Sequence, residues 1–552
     1  MRRSFPSGLA LAVALSAGCI DRSWRAYGYD HRHFSRQPNE AILNASSAAT
    51  LHVNWDFPIP AGGSFTASPS AYGNTIYIGG LNGVFYAVWA SGPNQGTLRW
   101  RYPPAVAPSP GDACATTTSP MLVSGSGNPS GPGIASSAAI VDAVAGHGAV
   151  VVFGAPDPNS NGGDGRVWAV DAATGQCVWK SPVIAPASGT AKIGYSSPVV
   201  AHGRAYIGVS AKYPDSPITT GRLFAVDLAT GALDPAFAFS AIGSAAGGGI
   251  WSSPAITPSG NVVVTTGNSC RHFQNGAASC ASPGPIPSPD YTNSLLKLDW
   301  HSGSVLWQIQ PVHIDWDWDP DWASPPVVGQ VSCGSLAISV QKDGYVHAAN
   351  IKTGGPFSNP ACSYAGHTLD CPRWSFPMAP SLPFQQDGHG DTRFLRMGAL
   401  DGDHLYITAG GLNLTEIAPT DISGNAPGRI VYNRVYSLNC CSSDVDRIRW
   451  ILDLDGVAGA PSVANGVIYL GTSSGRLYAI ADTDVLPSTS SVCSYPNVAG
   501  GVTCFNGGFR NVPVPVVIKQ LTLNGSIPGI PAVSDGQVFV ATTAGHLYGL
   551  AP

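Results

Sequence analysis

Four aspartates, Asp315, Asp317, Asp319 and Asp321, alternate with Trp316, Trp318 and Trp322 in a single short stretch. Aromatic surface of that size favours burial, and burial draws carboxylates into low dielectric. There they stay ionised only beside a metal, a cation or hydrogen-bond donors. Lys342, further along in Val340-Gln341-Lys342-Asp343-Gly344, is one candidate cation. The chemistry open to such a set is binding of a hard cation through oxygens and proton transfer by a carboxylate base. The plain alternative is a capped turn, with exposed aspartates above tryptophans such as Trp316 and Trp322 packed beneath a loop.

The elements that must position these residues form a repeat. Each copy starts at Ser-Pro or Ala-Pro and continues through an apolar strand, a Gly turn, a Tyr-Ile-Gly strand and a Leu-Tyr-Ala-Val strand. It closes with Thr-Gly and a strand that often ends in Trp. Tyr77-Ile78-Gly79 with Phe85-Tyr86-Ala87-Val88 is one copy, and Tyr206-Ile207-Gly208 with Leu223-Phe224-Ala225-Val226 is another. Eight starts are visible, and the last, from Pro531, is cut short. An unpaired strand at residues 51–57 carries the Trp of the missing piece. Alternation of this kind, without helical periodicity, predicts an all-β fold. The economical solution is a single eight-bladed β-propeller, closed by pairing of the N-terminal strand with the last blade, since an unjoined array would expose strand edges. Long loops at 102–137, 269–292, 355–392 and 482–525 are then the places where sites are usually built.

Composition agrees. Among 552 residues, 66 Gly and 47 Pro suit strands and turns, while Asp, Glu, Lys and Arg make up only 11%. A net charge of −5 offers no basic field for nucleic acid. Residues 1–19 read as a signal peptide: Arg2 and Arg3 precede an apolar run too short to span a membrane. The stretch Leu15-Ser16-Ala17-Gly18-Cys19 resembles a lipoprotein signal with Cys19 as the lipidated residue, although the leucine sits one place upstream of the usual position. Ordinary cleavage near Ala17 or Gly18 is the alternative, and either reading exports the protein. Residues 20–50 read as a polar segment and 51–552 as the propeller. The twelve cysteines fit an oxidising compartment. Cys270–Cys280, Cys362–Cys371 and Cys493–Cys504 are plausible local pairs, and Cys440 and Cys441 either join as a vicinal disulfide or pair elsewhere.

The unit Tyr/Trp-Ala-Val-Asp-Ala-Ala-Thr-Gly resembles the blade of the quinoprotein alcohol dehydrogenases, eight-bladed propellers that hold pyrroloquinoline quinone (PQQ) and a metal near the central axis. The similarity runs from Trp24 to the C-terminus and is closest to the polyvinyl-alcohol-dehydrogenase-like branch, whose Cys-x-x-Cys-His haem motif is absent. The axial motifs occur in order. Gly247-Gly248-Gly249-Ile250-Trp251 resembles the segment whose Trp lies beneath the quinone. Thr266-Gly267-Asn268 resembles the turn whose amide oxygen ligates the metal. Trp318-Asp319-Pro320-Asp321 resembles the Trp-Asp-x-Asp motif whose first Asp is the catalytic base, and Lys342 resembles the cation at the quinone carbonyls.

The resemblance implies Asp319 as base, Trp251 and Lys342 as cofactor-binding residues, and Asn268, Asp319 and Asp321 as metal ligands. The implied cofactors are PQQ and Ca²⁺, with a lanthanide as the variant that Asp321 brings to mind. The implied partners are a small or polymeric alcohol and a separate electron acceptor, with membrane contact only through a lipid anchor and a periplasmic or cell-surface location. One departure counts against this set. The family's glutamate ligand is missing from Ile207-Gly208-Val209-Ser210-Ala211-Lys212-Tyr213-Pro214-Asp215. The blade repeat is shared with non-catalytic propellers, including the outer-membrane assembly lipoprotein that scaffolds β-barrel insertion, so an envelope scaffold is the rival reading.

Overall fold

The computed structural model describes residues 21–60, 63–106, 113–114, 118–122, 133–144, 146–160, 162–189, 191–211, 219–242, 247–268, 289–310, 321–322, 324–341, 345–355, 362–364, 367–369, 374–377, 394–410, 433–442, 447–456, 458–482 and 515–552. Eight antiparallel sheets follow one another along the chain as eight blades. Blade 1, for example, consists of Ser70–Tyr72, Thr75–Gly79, Phe85–Trp89 and Leu98–Tyr102. The first strands of successive blades lie side by side around a complete circle. Blade 8 takes three strands from the C-terminus and its fourth, His52–Pro58, from the N-terminus, with Asp56 opposite Tyr548. The expected closure is therefore present. The one helix among the described residues, Ala45–Ala48, is a single turn capped by Asn44, and no described helix is long and apolar enough to cross a membrane.

Repeated residues hold the blades together. Trp100 Nε1 donates to Ala172 O at 3.0 Å, Trp179 Nε1 to Leu228 O at 2.7 Å and Trp307 Nε1 to Ile351 O at 3.0 Å, each in the next blade. The indoles rest on Gly175, Gly231 and Gly354, where an added Cβ would lie 2.6–2.8 Å from the ring. This explains the Thr-Gly of the repeat: the glycine admits its neighbour's tryptophan, at a φ of 73–74° that also favours glycine. Between blades 6 and 7 the device changes. Asp482 accepts from Trp450 Nε1 at 3.2 Å, Arg449 at 2.8 Å and the Tyr406 hydroxyl. Burial works to raise the Asp482 pKa, but the donors His404 and Tyr406 and the Arg449 charge hold it well below the usual carboxylate range.

A serine relay runs around the axis. Ser137 Oγ accepts from Ser68 N, Ser197 Oγ from Ser137 N, Ser253 Oγ from Ser197 N, and Ser68 Oγ from Ile530 N, all at 2.9–3.0 Å. Three residues before Ser68, Ser137, Ser253 and Ile530 stands an interblade lock. Phe65, Ile134, Ile250 and Ile527 donate their main-chain N–H to the preceding blade at 3.0–3.1 Å. The isoleucine side chains fill the space over Gly79, Gly208 and Gly471, so the glycine of Tyr-Ile-Gly is an interblade socket.

Residues 20–50, read from sequence as a polar segment, include a clasp. Main-chain bonds join Trp24 to Ala71, Arg25 O to Ile140 N, His31 O to Ile256 N, Arg32 O to Val328 N, Phe34 O to Leu400 N and Ser35 O to Val463 N, at 2.7–2.9 Å. Gln37 Nε2 reaches Val533 O at 3.2 Å. Each partner is the equivalent residue of a first strand, so the segment touches seven of the eight blades. Positive φ at Tyr29, His33 and Ser35 lets it follow the curve of the ring. Trp24 and Leu43 are fully buried beneath it.

Disulfides join Cys114 to Cys177 and Cys333 to Cys441. Cys441 thus pairs across blades 5 and 6, and the vicinal alternative with Cys440, which is buried, does not form. The pairs expected for Cys270–Cys280, Cys362–Cys371 and Cys493–Cys504 lie outside the described side chains.

Candidate active site at the axial end of blades 4 and 5

The first strand of each blade runs from one end of the axis toward the other. Trp251 and Asp321 precede the first strands of blades 4 and 5, and Thr266-Gly267-Asn268 follows the second strand of blade 4. The clasp bonds fall further along, at Ile256 and Val328. The sequence-predicted residues that are described therefore share one end of the ring, and the clasp closes in beyond them.

Asp321 stands three residues before Ser324, next to Trp322, which is buried in one core cluster with Ala255, Val263 and Leu295 of blade 4. It is 4% exposed. Beside that apolar side chain, blade 5 sends a carboxylate toward blade 4, and its Oδ1 accepts from Asn268 N at 2.5 Å. Gly267 leaves the room: an added Cβ would lie 2.9 Å from that oxygen. The turn is fixed from the other side by Gly267 N to Gly249 O at 2.9 Å and Gly248 N to Asn268 O at 2.7 Å. Asn268 itself is buried. Asn268 and Asp321 are thus brought together.

Trp251 is half-buried and sits edge-to-face with Tyr195, ring centroids 6.5 Å apart. Two residues before their relay serines, blades 3 and 4 carry Tyr195 and Trp251 in the same register. Tyr195 is 38% exposed, whereas Trp322 is 1% exposed and packs near His347. Trp322 is therefore core, as the plain reading of that tryptophan held. Tyr195 escaped the sequence reading, although the Tyr195-Ser196-Ser197-Pro198 and Trp251-Ser252-Ser253-Pro254 segments align by eye. Asp319, Lys342 and the Lys212–Asp215 stretch lie outside the described residues, as does Cys19.

Asn293, opposite Gly267, also went unnoticed. Its N–H donates to Gly267 O at 2.8 Å. It is 2% exposed, and its side-chain oxygen is buried without a hydrogen-bond partner. The Asp321 carboxylate and the side-chain amides of Asn268 and Asn293, brought around Gly267 from three segments, fit a hard cation, which takes oxygen donors. Among the described residues no group of three or more His, Cys, Asp or Glu side chains is gathered for a metal, so amide oxygens carry much of this donor set.

The family described as outer membrane protein assembly factor BamB matches residues 39–276. The match covers under half of the chain. The quinohemoprotein alcohol dehydrogenase ADHIIG of Pseudomonas putida HK5 superposes with a TM-score of 0.63 at 15% identity, over 96% of this chain and 80% of that one. The quinohemoprotein alcohol dehydrogenase of Comamonas testosteroni gives 0.61 at 15% identity, over 96% and 80%. A europium-containing methanol dehydrogenase gives 0.59 at 14% identity, over 96% and 98%. At these identities the likeness is one of fold. No curated protein matches the chain in sequence.

Proposed function

We propose that this propeller is an exported quinoprotein oxidoreductase that oxidises an alcohol-type substrate with PQQ and a hard divalent or trivalent cation. The observation that carries the reading is Asp321. Its carboxylate is buried beside Trp322, and it faces the Thr-Gly-Asn turn. Burying a charge costs far more than burying isoleucine unless a partner compensates. A cation held by Asn268 and Asp321 would be such a partner.

In this reading Trp251 lies against the flat face of the quinone, as an aromatic plane suits a tricyclic ring. Lys342 supplies positive charge beside the quinone oxygens. A carboxylate oxygen of Asp319 takes the alcohol proton. When bound, the quinone supplies the redox chemistry and the cation polarises it. The substrate identity, small or polymeric, is set by the long loops, and electrons leave to a separate acceptor. Cys19 is the proposed lipid attachment, which places the protein in the periplasm or at the cell surface.

The second reading is a non-catalytic envelope scaffold, favoured by the family match over residues 39–276 and by the missing glutamate. A titration of metal-free protein with PQQ, with and without Ca²⁺ or a lanthanide, separates the two. A ligand that binds only the native state raises the melting temperature. Saturable quinone binding that weakens in Trp251→Ala and Lys342→Ala supports the enzyme. No binding under any of these conditions refutes it and leaves the scaffold.

A further inference from the structure

Residues 290–294 form a turn in which almost every polar group is used. Asp290 Oδ1 accepts from Thr292 N and Oγ1 at 2.9 and 2.7 Å. Ser294 Oγ donates to Thr292 O at 2.6 Å, and Ser294 N donates to Thr266 Oγ1 at 3.0 Å. Gln308 Nε2 bridges Asp290 O and Ser294 Oγ, while Gln310 Nε2 holds Thr292 O at 2.7 Å. This network clamps Asn293 at φ 48°, a left-handed conformation uncommon outside glycine. Buried polar atoms are nearly always paired. Here a rigid frame fixes a residue and leaves its buried side-chain oxygen unpaired. An orphaned acceptor held in place this way marks room for a ligand.

The position says which ligand. The Asn293 N–H is bonded to Gly267 O, and Asp321 Oδ1 approaches the same glycine and bonds to Asn268 N. From this geometry we infer that Asn293 Oδ1 is a further protein oxygen for the cation assigned above to Asn268 and Asp321, standing in for the glutamate that the chain lacks. An amide in place of that glutamate leaves the site with one negative charge fewer. The inference rests on the cation-binding part of the proposed function.

The test is cation binding itself, with Asn293→Gly as the variant. Glycine accepts φ 48° without strain, so the fold keeps or gains stability while the oxygen is removed. Tb³⁺ luminescence excited through tryptophan, and Ca²⁺ titration calorimetry, are run on the full chain with and without PQQ. The expected result is a melting temperature for metal-free Asn293→Gly at or above wild type, with cation affinity lower by about ten- to a hundredfold. Asp321→Asn is the control for the assigned site. Unchanged affinity in Asn293→Gly, with binding lost in Asp321→Asn, overturns this inference and leaves the cation site standing. If wild type takes up neither cation with PQQ present, the cation site and this inference fall together, whereas quinone binding without metal is scored separately.

Discussion

His33 gives the clasp a pH dependence that can be worked out from its surroundings. It is fully buried, and its Nδ1–H donates to Pro326 O at 3.1 Å, which ties residue 33 to the start of blade 5. Burial pushes its pKa down to about 4, opposed in part by the Pro326 hydrogen bond and the nearby Asp30, while His31 works in the same direction as burial. In the unfolded chain the imidazole titrates near the ordinary 6.5 of histidine. The folded value is the lower one, so the folded state holds the neutral form. The contribution is whole above pH 6.5 and is lost as pH falls toward 4. Linkage sets the loss at about 2 kcal/mol between pH 7.5 and 5, and about 3 kcal/mol in full. Denaturant midpoints at the two pH values measure it. In His33→Gln, whose amide keeps a donor for Pro326, the loss over that interval shrinks by about 2 kcal/mol. Equal losses in wild type and variant would mean that His33 is not held neutral by the clasp, and the argument from burial would be wrong.

Three further outcomes follow from the locks. Gly208→Ala places a methyl in the space filled by Ile250, which should cost about 1–3 kcal/mol in denaturant unfolding; because Ile250 adjoins Trp251, quinone affinity should fall with it. Asp482→Ala removes the acceptor shared by Arg449, Trp450 and Tyr406 and should cost about 3–5 kcal/mol. The stabilisation by this depressed carboxylate is present above its unfolded pKa of 3.8 and disappears as pH falls through the folded value. Asp321→Ile replaces the buried carboxylate by an apolar side chain: apolar burial gains about 1.5–3 kcal/mol, offset by about 1–3 kcal/mol for the Asn268 N–H left unpaired. Metal-free stability should therefore stay close to wild type while stabilisation by Ca²⁺ and PQQ vanishes. A collapse of metal-free stability would make Asp321 a structural residue.

The ring was legible because it is periodic. Ser-Pro starts, Tyr-Ile-Gly strands and Thr-Gly turns recur, and the Trp-bearing strand near residue 55 supplied the missing piece of the last blade. The clasp was not legible. Its bonds are main-chain bonds from Trp24 to Ser35, and main-chain bonding leaves no side-chain signature when the path curves around an axis rather than along a sheet. Cys333–Cys441 was hidden for a related reason: the partners lie 108 residues apart, and only the placement of blades 5 and 6 brings them together. Within the site, Asn268 and Asp321 were found through motif resemblance, whereas Asn293 has no motif. Its signal is a left-handed conformation and an orphaned oxygen, properties of a folded backbone.

The repeat also supplies the standard against which the site is judged. The lock position has one structural task, to bond and fill the end of the preceding blade, and Phe65, Ile134, Ile250 and Ile527 perform it with apolar side chains. At the interface of blades 4 and 5 the buried Trp322 is joined by a buried carboxylate, Asp321, and blade 4 meets it with Gly267, Asn268 and Asn293. A cation among these oxygens is what the proposed enzyme would add there, and a scaffold has no use for one. The proposed function therefore stands or falls with cation binding at this interface.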